Sequence, residues 1–530
     1  MKQVLQPLRF ALILALGILI GIWFVPYRTS GGNKFSQILQ LIKNNYVDTV
    51  NTEAIEKESI NDLLHTLDPH SNYFTATEAQ QVNEPLEGSF EGIGIEFLLW
   101  KDTIVIANII PGGPSEKAGM KLGDKIVKVD GKVLNGMNLK NEDVFKLLKG
   151  KGGTVVHLGI YRMFDKQNLD FDITRGSVAI KSVDAFFMAD DKTGYIKISR
   201  FAANTFDEYQ DAFKKLKDLG MKNLIIDLRD NGGGYLNTAQ KLADEFLGAN
   251  QKILTTKGEH TADESFEATG NGIFENGKLI VLVNENSASA SEILSGALQD
   301  NDRALIIGRR TFGKGLVQKS FSLSDGSSVR LTIQRYYTPS GRSIQKPYNL
   351  GYSEYEEDYQ HRYTTGELFF EDSIKNNTTQ RYATLGGRTV YGGGGIVPDI
   401  FVPMDTSARS ILYTSLQTKN ILRQVASRYV EMNQLALKKF TSPVAFRDGF
   451  SVEGALMELL KSMTLASQII WSDADFNRSK LEIEHFLKAD IAKLLFQNNG
   501  YYYIDNLDDN TFLKALSCMA SDAYFEKLKH

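Results

Sequence analysis

Residues 281–318, VLVNENSASASEILSGALQDNDRALIIGRRTFGKGLVQ, limit what this chain can fold into more than any other stretch. The apolar run 279–283 reads as a buried strand leading into a serine cluster, which opens an apolar-periodic helix. A second strand near 304–307 then delivers Lys314 between Gly313 and Gly315. Strand, helix and strand in succession point to α/β layering. A serine at a helix N-terminus and an isolated lysine on a glycine turn are also the parts of a Ser-Lys pair. A serine hydroxyl attacks poorly unless a neighbouring base takes its proton, and a desolvated lysine can be that base.

The same residues admit plainer readings. Ser289-Ala290-Ser291-Glu292 fits a helix capping box, and the glycine-flanked lysine fits an ordinary exposed turn. Residues 308–315, GRRTFGKG, fall one residue short of a phosphate-binding loop, because Gly315 stands where serine or threonine would hold magnesium. A histidine-based triad finds little support. The seven histidines lie at 65, 70, 157, 260, 361, 485 and 530, and no Gly-x-Ser-x-Gly turn occurs. His70 reads as a structural turn residue.

Composition narrows the class. At 530 residues the chain has room for several domains, and 42% hydrophobic with 23% charged residues is ordinary for folded protein. A net charge of −4 without a basic stripe gives no sign of nucleic-acid binding. Cys518 is the single cysteine, so neither an intrachain disulfide nor a thiol-metal site is indicated, and no cofactor or metal is expected. Residues 10–25, FALILALGILIGIWFV, are apolar, uncharged and preceded by Lys2 and Arg9. No Ala-x-Ala site follows, which favours an uncleaved signal anchor over a cleaved signal peptide, its length being marginal for both. The expected location is a bacterial envelope, with the bulk of the chain in the periplasm, or secreted if the segment is cleaved.

Beyond this segment the pattern divides the chain. Residues 31–85 read as helical, with apolar residues at helical spacing. A strand-rich block with one helix near 141–148 fills 86–178, and alternating strands and helices fill 179–405. An insert rich in tyrosine and charge, 348–389, reads as a surface excursion. Residues 406–530 read as a helical appendage, interrupted at Tyr501-Tyr502-Tyr503-Ile504.

Several motifs occur in one order: Leu67-Asp68-Pro69-His70-Ser71, Gly92-Ile93-Gly94-Ile95, GMKLGD at 119–124, DLRDNGGG at 227–234, YTPSGRSIQ at 337–345 and GIVPDI at 395–400. The set resembles the C-terminal processing, or tail-specific, serine proteases. This resemblance implies a multidomain α+β chain: an α/β protease core with an inserted PDZ domain, an N-terminal helical segment and a C-terminal helical appendage. It implies Ser289 as nucleophile, Lys314 as base and Gln318 as the support of the lysine amine. Backbone N–H groups of Ala290 and Gly233 would form the oxyanion hole, with Gly234 an alternative. Gly232 stands where the family often has proline, which loosens that turn. Gly92, Ile93, Gly94 and Ile95 would bind a substrate tail in the PDZ domain. The implied activity is endoproteolysis of proteins with exposed apolar C-termini. Membrane attachment through the N-terminus and homo-oligomerisation are further expectations, and an inactive PDZ scaffold is the alternative.

Such a base makes a physical demand. A lysine near ~10.4 must lose about 3 units, roughly 4 kcal/mol, to act near neutrality. No carboxylate lies near Lys314 in sequence between Asp302 and Asp325.

Overall fold

The computed structural model describes residues 34–526 except 101–102 and 163–164, together with 528. The expected anchor at 10–25 lies outside the described residues. Among them, no helix is long and apolar enough to cross a membrane.

At the centre is a six-stranded sheet in the order Val183–Met188, Thr193–Ile198, Asn223–Asp227, Leu279–Val283, Leu305–Gly308, Ile400–Phe401. The first pair is antiparallel and the rest are parallel. All five residues of Leu279–Val283 are buried, because side chains on both faces meet a covering layer. One face packs on the helices Thr205–Asp218, Leu236–Asp244 and Ala290–Asp300. The other face, carrying Tyr195, Ile225, Ile280, Leu282 and Ile307, packs on the C-terminal helix Asn510–Met519 through Phe512, Ala515 and Cys518. The C-terminal region is helical as expected, and its helix Asn510–Met519 also completes the second layer over the sheet.

A second sheet joins Asn72–Phe74, Leu316–Ser322, Ser328–Tyr337, Lys252–Gly258 and Thr261–Glu267. The strand Asn72–Phe74 breaks the expected N-terminal helical run into Lys34–Asn45, Thr52–His65 and Ala76–Glu87. Residues 95–174 form a third sheet with the helix Asn141–Leu148 against it, and the short pair Ser89–Gly92 and Gly176–Ala179 ties this unit to the core. Among the described residues its strand Ile95–Trp100 pairs on one side only, with Thr103–Ile109.

Two expectations are corrected. The tyrosine run 501–503 does not interrupt the C-terminal helices, because Asp473–Asp505 runs through it. The break falls instead at Phe496 and Gln497, the latter at φ 61° and ψ −160°. The insert is also more than a surface excursion: Arg362, on its helix Asp358–Thr364, is 1% exposed.

Candidate active site

Ser289 directly precedes the helix Ala290–Asp300 at φ 55° and ψ −113°, a conformation that costs a non-glycine residue about 1–3 kcal/mol. Hydrogen bonds hold it there. Its N–H donates to Glu292 Oε2 at 2.9 Å, and its carbonyl accepts from the N–H groups of Glu292 and Ile293 and from the Tyr336 hydroxyl. The bond from Ser289 N–H to Glu292 is one half of the capping box expected at this helix start. Lys314 and Ser289 line one cavity of about 690 Å³, roofed by the helix Ala76–Glu87.

Lys314 Nζ donates to Gln318 Oε1 at 2.9 Å, and Gln318 Nε2 donates to the His70 carbonyl at 2.6 Å. Four residues of regular strand would separate their Cα atoms by about 13 Å. The strand begins only at Leu316 and its register slips between Val317 and Gln318, which lets the two side chains meet. Burial, and then the Arg330 guanidinium, pull the Lys314 amine down to about 8, while Asp68 and Glu292 oppose the shift. No hydrogen bond joins Lys314 Nζ to the Ser289 hydroxyl, a contact that apo sites often lack until substrate enters.

Glu292 binds the serine turn to the lysine turn. Besides Ser289 N–H, its carboxylate accepts from Thr311 Oγ1 at 2.6 Å, Gly313 N–H at 2.7 Å and Lys314 N–H at 2.8 Å. Burial pushes its carboxyl above the usual range against the pull of these donors. The same carboxylate fills the place a phosphate would need, which removes the phosphate-loop reading. Sequence reasoning placed Glu292 only in a capping box. Its second set of partners lies about twenty residues on, and nothing local announces them.

Gly233 packs on the serine: a Cβ there would lie 2.8 Å from the Ser289 Cβ and 3.0 Å from Ala290 N. Its N–H donates to Asn231 Oδ1 at 2.9 Å, so the expected oxyanion donor is engaged within its own turn. The N–H groups of Ala290, Gly232 and Gly234 have no acceptor among the described residues.

Residues outside the local motifs hold the rest. Arg362 Nη1 donates to the carbonyls of Arg310 (3.2 Å) and Thr311 (3.0 Å), and Nη2 to that of Phe312 (3.1 Å). The insert thereby holds the loop that presents Lys314. Tyr355, also from the insert, bonds His70 Nε2 at 2.7 Å. Burial, with help from Lys314 and Lys346, takes the His70 imidazole down to about 3, so it is neutral at physiological pH. Asp68 holds its own turn by accepting from the N–H groups of His70 and Ser71, and it also accepts from Thr332 Oγ1.

At the entry to the third sheet, Gly92 ends the short strand Ser89–Gly92 and Ile95 begins the next strand, with Gly94 at φ 79° between them. Ile93 is buried, and the N–H groups of Ile93 and Gly94 have no acceptor among the described residues. The free edge of Ile95–Trp100 faces the helix Asn141–Leu148, where the Phe97 and Phe145 rings meet at 5.5 Å. Lys149, which follows this helix, pairs with Glu84 on the helix roofing the cavity of Ser289 and Lys314, at 2.5 Å.

Comparison with known proteins gives this geometry a context. Residues 192–351 match the model of peptidase family S41, residues 105–162 that of the PDZ domain, and residues 412–497 that of a family of unknown function. A carboxy-terminal-processing protease of Bartonella bacilliformis is 37% identical over 317 residues, 59% of this chain and 72% of the relative. A probable CtpA-like serine protease of Staphylococcus haemolyticus is 35% identical over 313 residues, 59% of this chain and 62% of the relative. A solved photosystem II D1 C-terminal processing protease is 28% identical, with 70% of this chain and 87% of that one aligned and a TM-score of 0.35. The matched span of the S41 model contains Gly233, Ser289, Lys314 and Gln318, and the Bartonella relative is aligned over most of its length. The chain therefore belongs to the carboxy-terminal-processing serine proteases of family S41, hydrolases that here carry a PDZ domain.

Proposed function

We propose that the protein is an endopeptidase in which Ser289 is the nucleophile and Lys314 the general base. The observation that carries this reading is the amine of Lys314, drawn down to about 8 and fixed by Gln318 in the cavity it shares with Ser289. Neutral Lys314 takes the Ser289 hydroxyl proton as Oγ bonds to the substrate carbonyl carbon. The tetrahedral oxyanion is met by the Ala290 N–H, at the positive end of a helix, and by an N–H of the 232–234 turn. That of Gly233 becomes available when Asn231 releases it, while those of Gly232 and Gly234 are already unengaged. Lys314 then protonates the departing amine, the C–N bond breaks, and water hydrolyses the Ser289 ester with the lysine again as base.

The PDZ domain is proposed to take an exposed apolar C-terminus as an added strand along Ile95–Trp100, its carboxylate meeting the N–H groups of loop 92–95. Action outside the cytoplasm rests on the apolar segment 10–25. The missing Ser289–Lys314 hydrogen bond is the one observation favouring an inactive scaffold. Digestion of an unstructured protein with an apolar or an acidic tail separates the readings. Cleavage should disappear in Ser289→Ala and Lys314→Ala and weaken with the acidic tail. Cleavage that survives Ser289→Ala would refute the assignment.

A further inference from the structure

The cavity shared by Ser289 and Lys314 is cationic. Arg200, Lys314, Lys319 and Arg330 line it against a single carboxylate, that of Glu87. Arg330 is half-buried, yet it has no carboxylate partner among the described residues. Its guanidinium lies 5.2 Å from the centre of the Phe74 ring, and its one hydrogen bond is long, 3.4 Å to Asn83 Oδ1. The contrast within this molecule is clear. Arg162, Arg309, Arg310, Arg342 and Arg388 each close on an acid at 2.7 Å or less. Removing a guanidinium from water without a counter-charge is unfavourable, so a partner from outside the chain would complete the arrangement.

Its position suits a substrate group. Arg330 stands on the strand Ser328–Tyr337 opposite Ser320, two residues beyond Gln318 on the paired strand, and reaches toward the helix that roofs the cavity. Its charge is felt at the Lys314 amine, which puts it within electrostatic reach of the reacting atoms.

We propose that Arg330, with Arg200 in the same cavity, forms a subsite for an acidic side chain of the substrate close to the bond that is cut. This rests on Ser289 and Lys314 being the catalytic pair, and it adds a second determinant to the apolar tail. The preferred substrate would be an unstructured chain with an apolar C-terminus and an aspartate or glutamate beside the cleavage point. Such a carboxylate would exchange the long Asn83 contact for a bidentate, charge-assisted pair, and the surplus positive charge would draw it in.

The test uses the full-length enzyme and peptides sharing one apolar tail, with Asp, Asn or Lys placed in turn at each of the positions flanking the cut. kcat/KM is read on the alkaline plateau, where Lys314 is neutral in every variant. At one position the wild type should favour Asp over Asn by about three- to tenfold and disfavour Lys. Arg330→Lys should keep that order, Arg330→Gln should flatten it, and Arg330→Glu should invert it toward Lys. Equal rates for Asp and Asn at every position, or an acidic preference unchanged in Arg330→Glu, would overturn the proposal. Ser289→Ala separates the two claims. Cleavage persisting in that variant would remove the catalytic assignment itself, whereas cleavage abolished there but blind to charge in the wild type would remove only the acidic subsite.

Discussion

At the scale of single residues, the proposed mechanism depends on keeping one ammonium unhappy. Lys314 has a folded value of about 8 against about 10.4 in an unfolded chain, so between these values the unfolded state holds more protons. Stability attached to this group therefore rises with pH across that window, and below about pH 8 the native state bears the whole desolvation cost. Lys314→Met should raise the melting temperature at neutral pH, reflecting about 1–3 kcal/mol once the lost Gln318 bond is set against the relief. The gain should vanish when the melt is repeated above about pH 10.4. A variant less stable than wild type at neutral pH would mean the lysine is not strained. The serine cluster and the isolated Lys314 could be picked out from their local pattern, whereas the choice of Ser289 within the cluster and of Gln318 came from the family resemblance. The distant contacts of Glu292 with Thr311, Gly313 and Lys314, and of Asp68 with Thr332, were not legible, since no local pattern announces them. Gly233 shows the opposite limit: its place beside Ser289 follows from the turn, but the engagement of its N–H by Asn231 does not.

At the scale of elements, the insert 348–389 is the main departure from what the sequence suggested. Its polar, tyrosine-rich composition reads as surface, whereas its Arg362 is held inside by three carbonyls of the loop that carries Lys314 and by Asp358 at 2.9 Å. Hydrogen bonds from a charged donor contribute about 1.5–3 kcal/mol each, and a base displaced by about 1 Å can lose a hundredfold in rate. Arg362→Ala should therefore lower kcat by about a hundredfold with KM little changed, and Arg362→Lys should recover part of it. Unchanged kcat in Arg362→Ala would show that the loop holds its shape unaided. Apolar periodicity located Leu279–Val283 and Asn141–Leu148 well, because burial dictates those patterns. It missed the hairpin Lys252–Gly258 and Thr261–Glu267, whose second strand is largely exposed and polar. It also placed a helix break at the tyrosines 501–503, which stay helical and, as their aromatic character suggests, pack on two cores.

At the scale of the whole molecule, the C-terminal helices contact both the central sheet and the third sheet. Arg229, just before the 230–234 turn, pairs with Asp227 at 2.6 Å and with Asp509 at 2.7 Å, while Lys493 pairs with Glu96 of the strand Ile95–Trp100 at 3.0 Å. Because Phe512, Ala515 and Cys518 cover one face of the central sheet, a chain ending at residue 405 would expose a continuous apolar surface. Such a truncation should be recovered as aggregate in size-exclusion chromatography. A monodisperse, active product would contradict the layered reading. The α/β core could be read from alternation, but no local pattern indicates that a helix more than two hundred residues downstream closes it. The central claim, a Ser289 nucleophile driven by Lys314, is tested most directly by following covalent labelling of the full-length protein with a fluorophosphonate across pH, by intact-mass and peptide analysis. The account predicts a single adduct on Ser289, a rate that rises with pH through a midpoint of about 8 with no inflection near about 6.5, and almost no labelling in Lys314→Ala. An adduct on another serine, or Ser289 labelling that ignores both pH and the loss of Lys314, would contradict it.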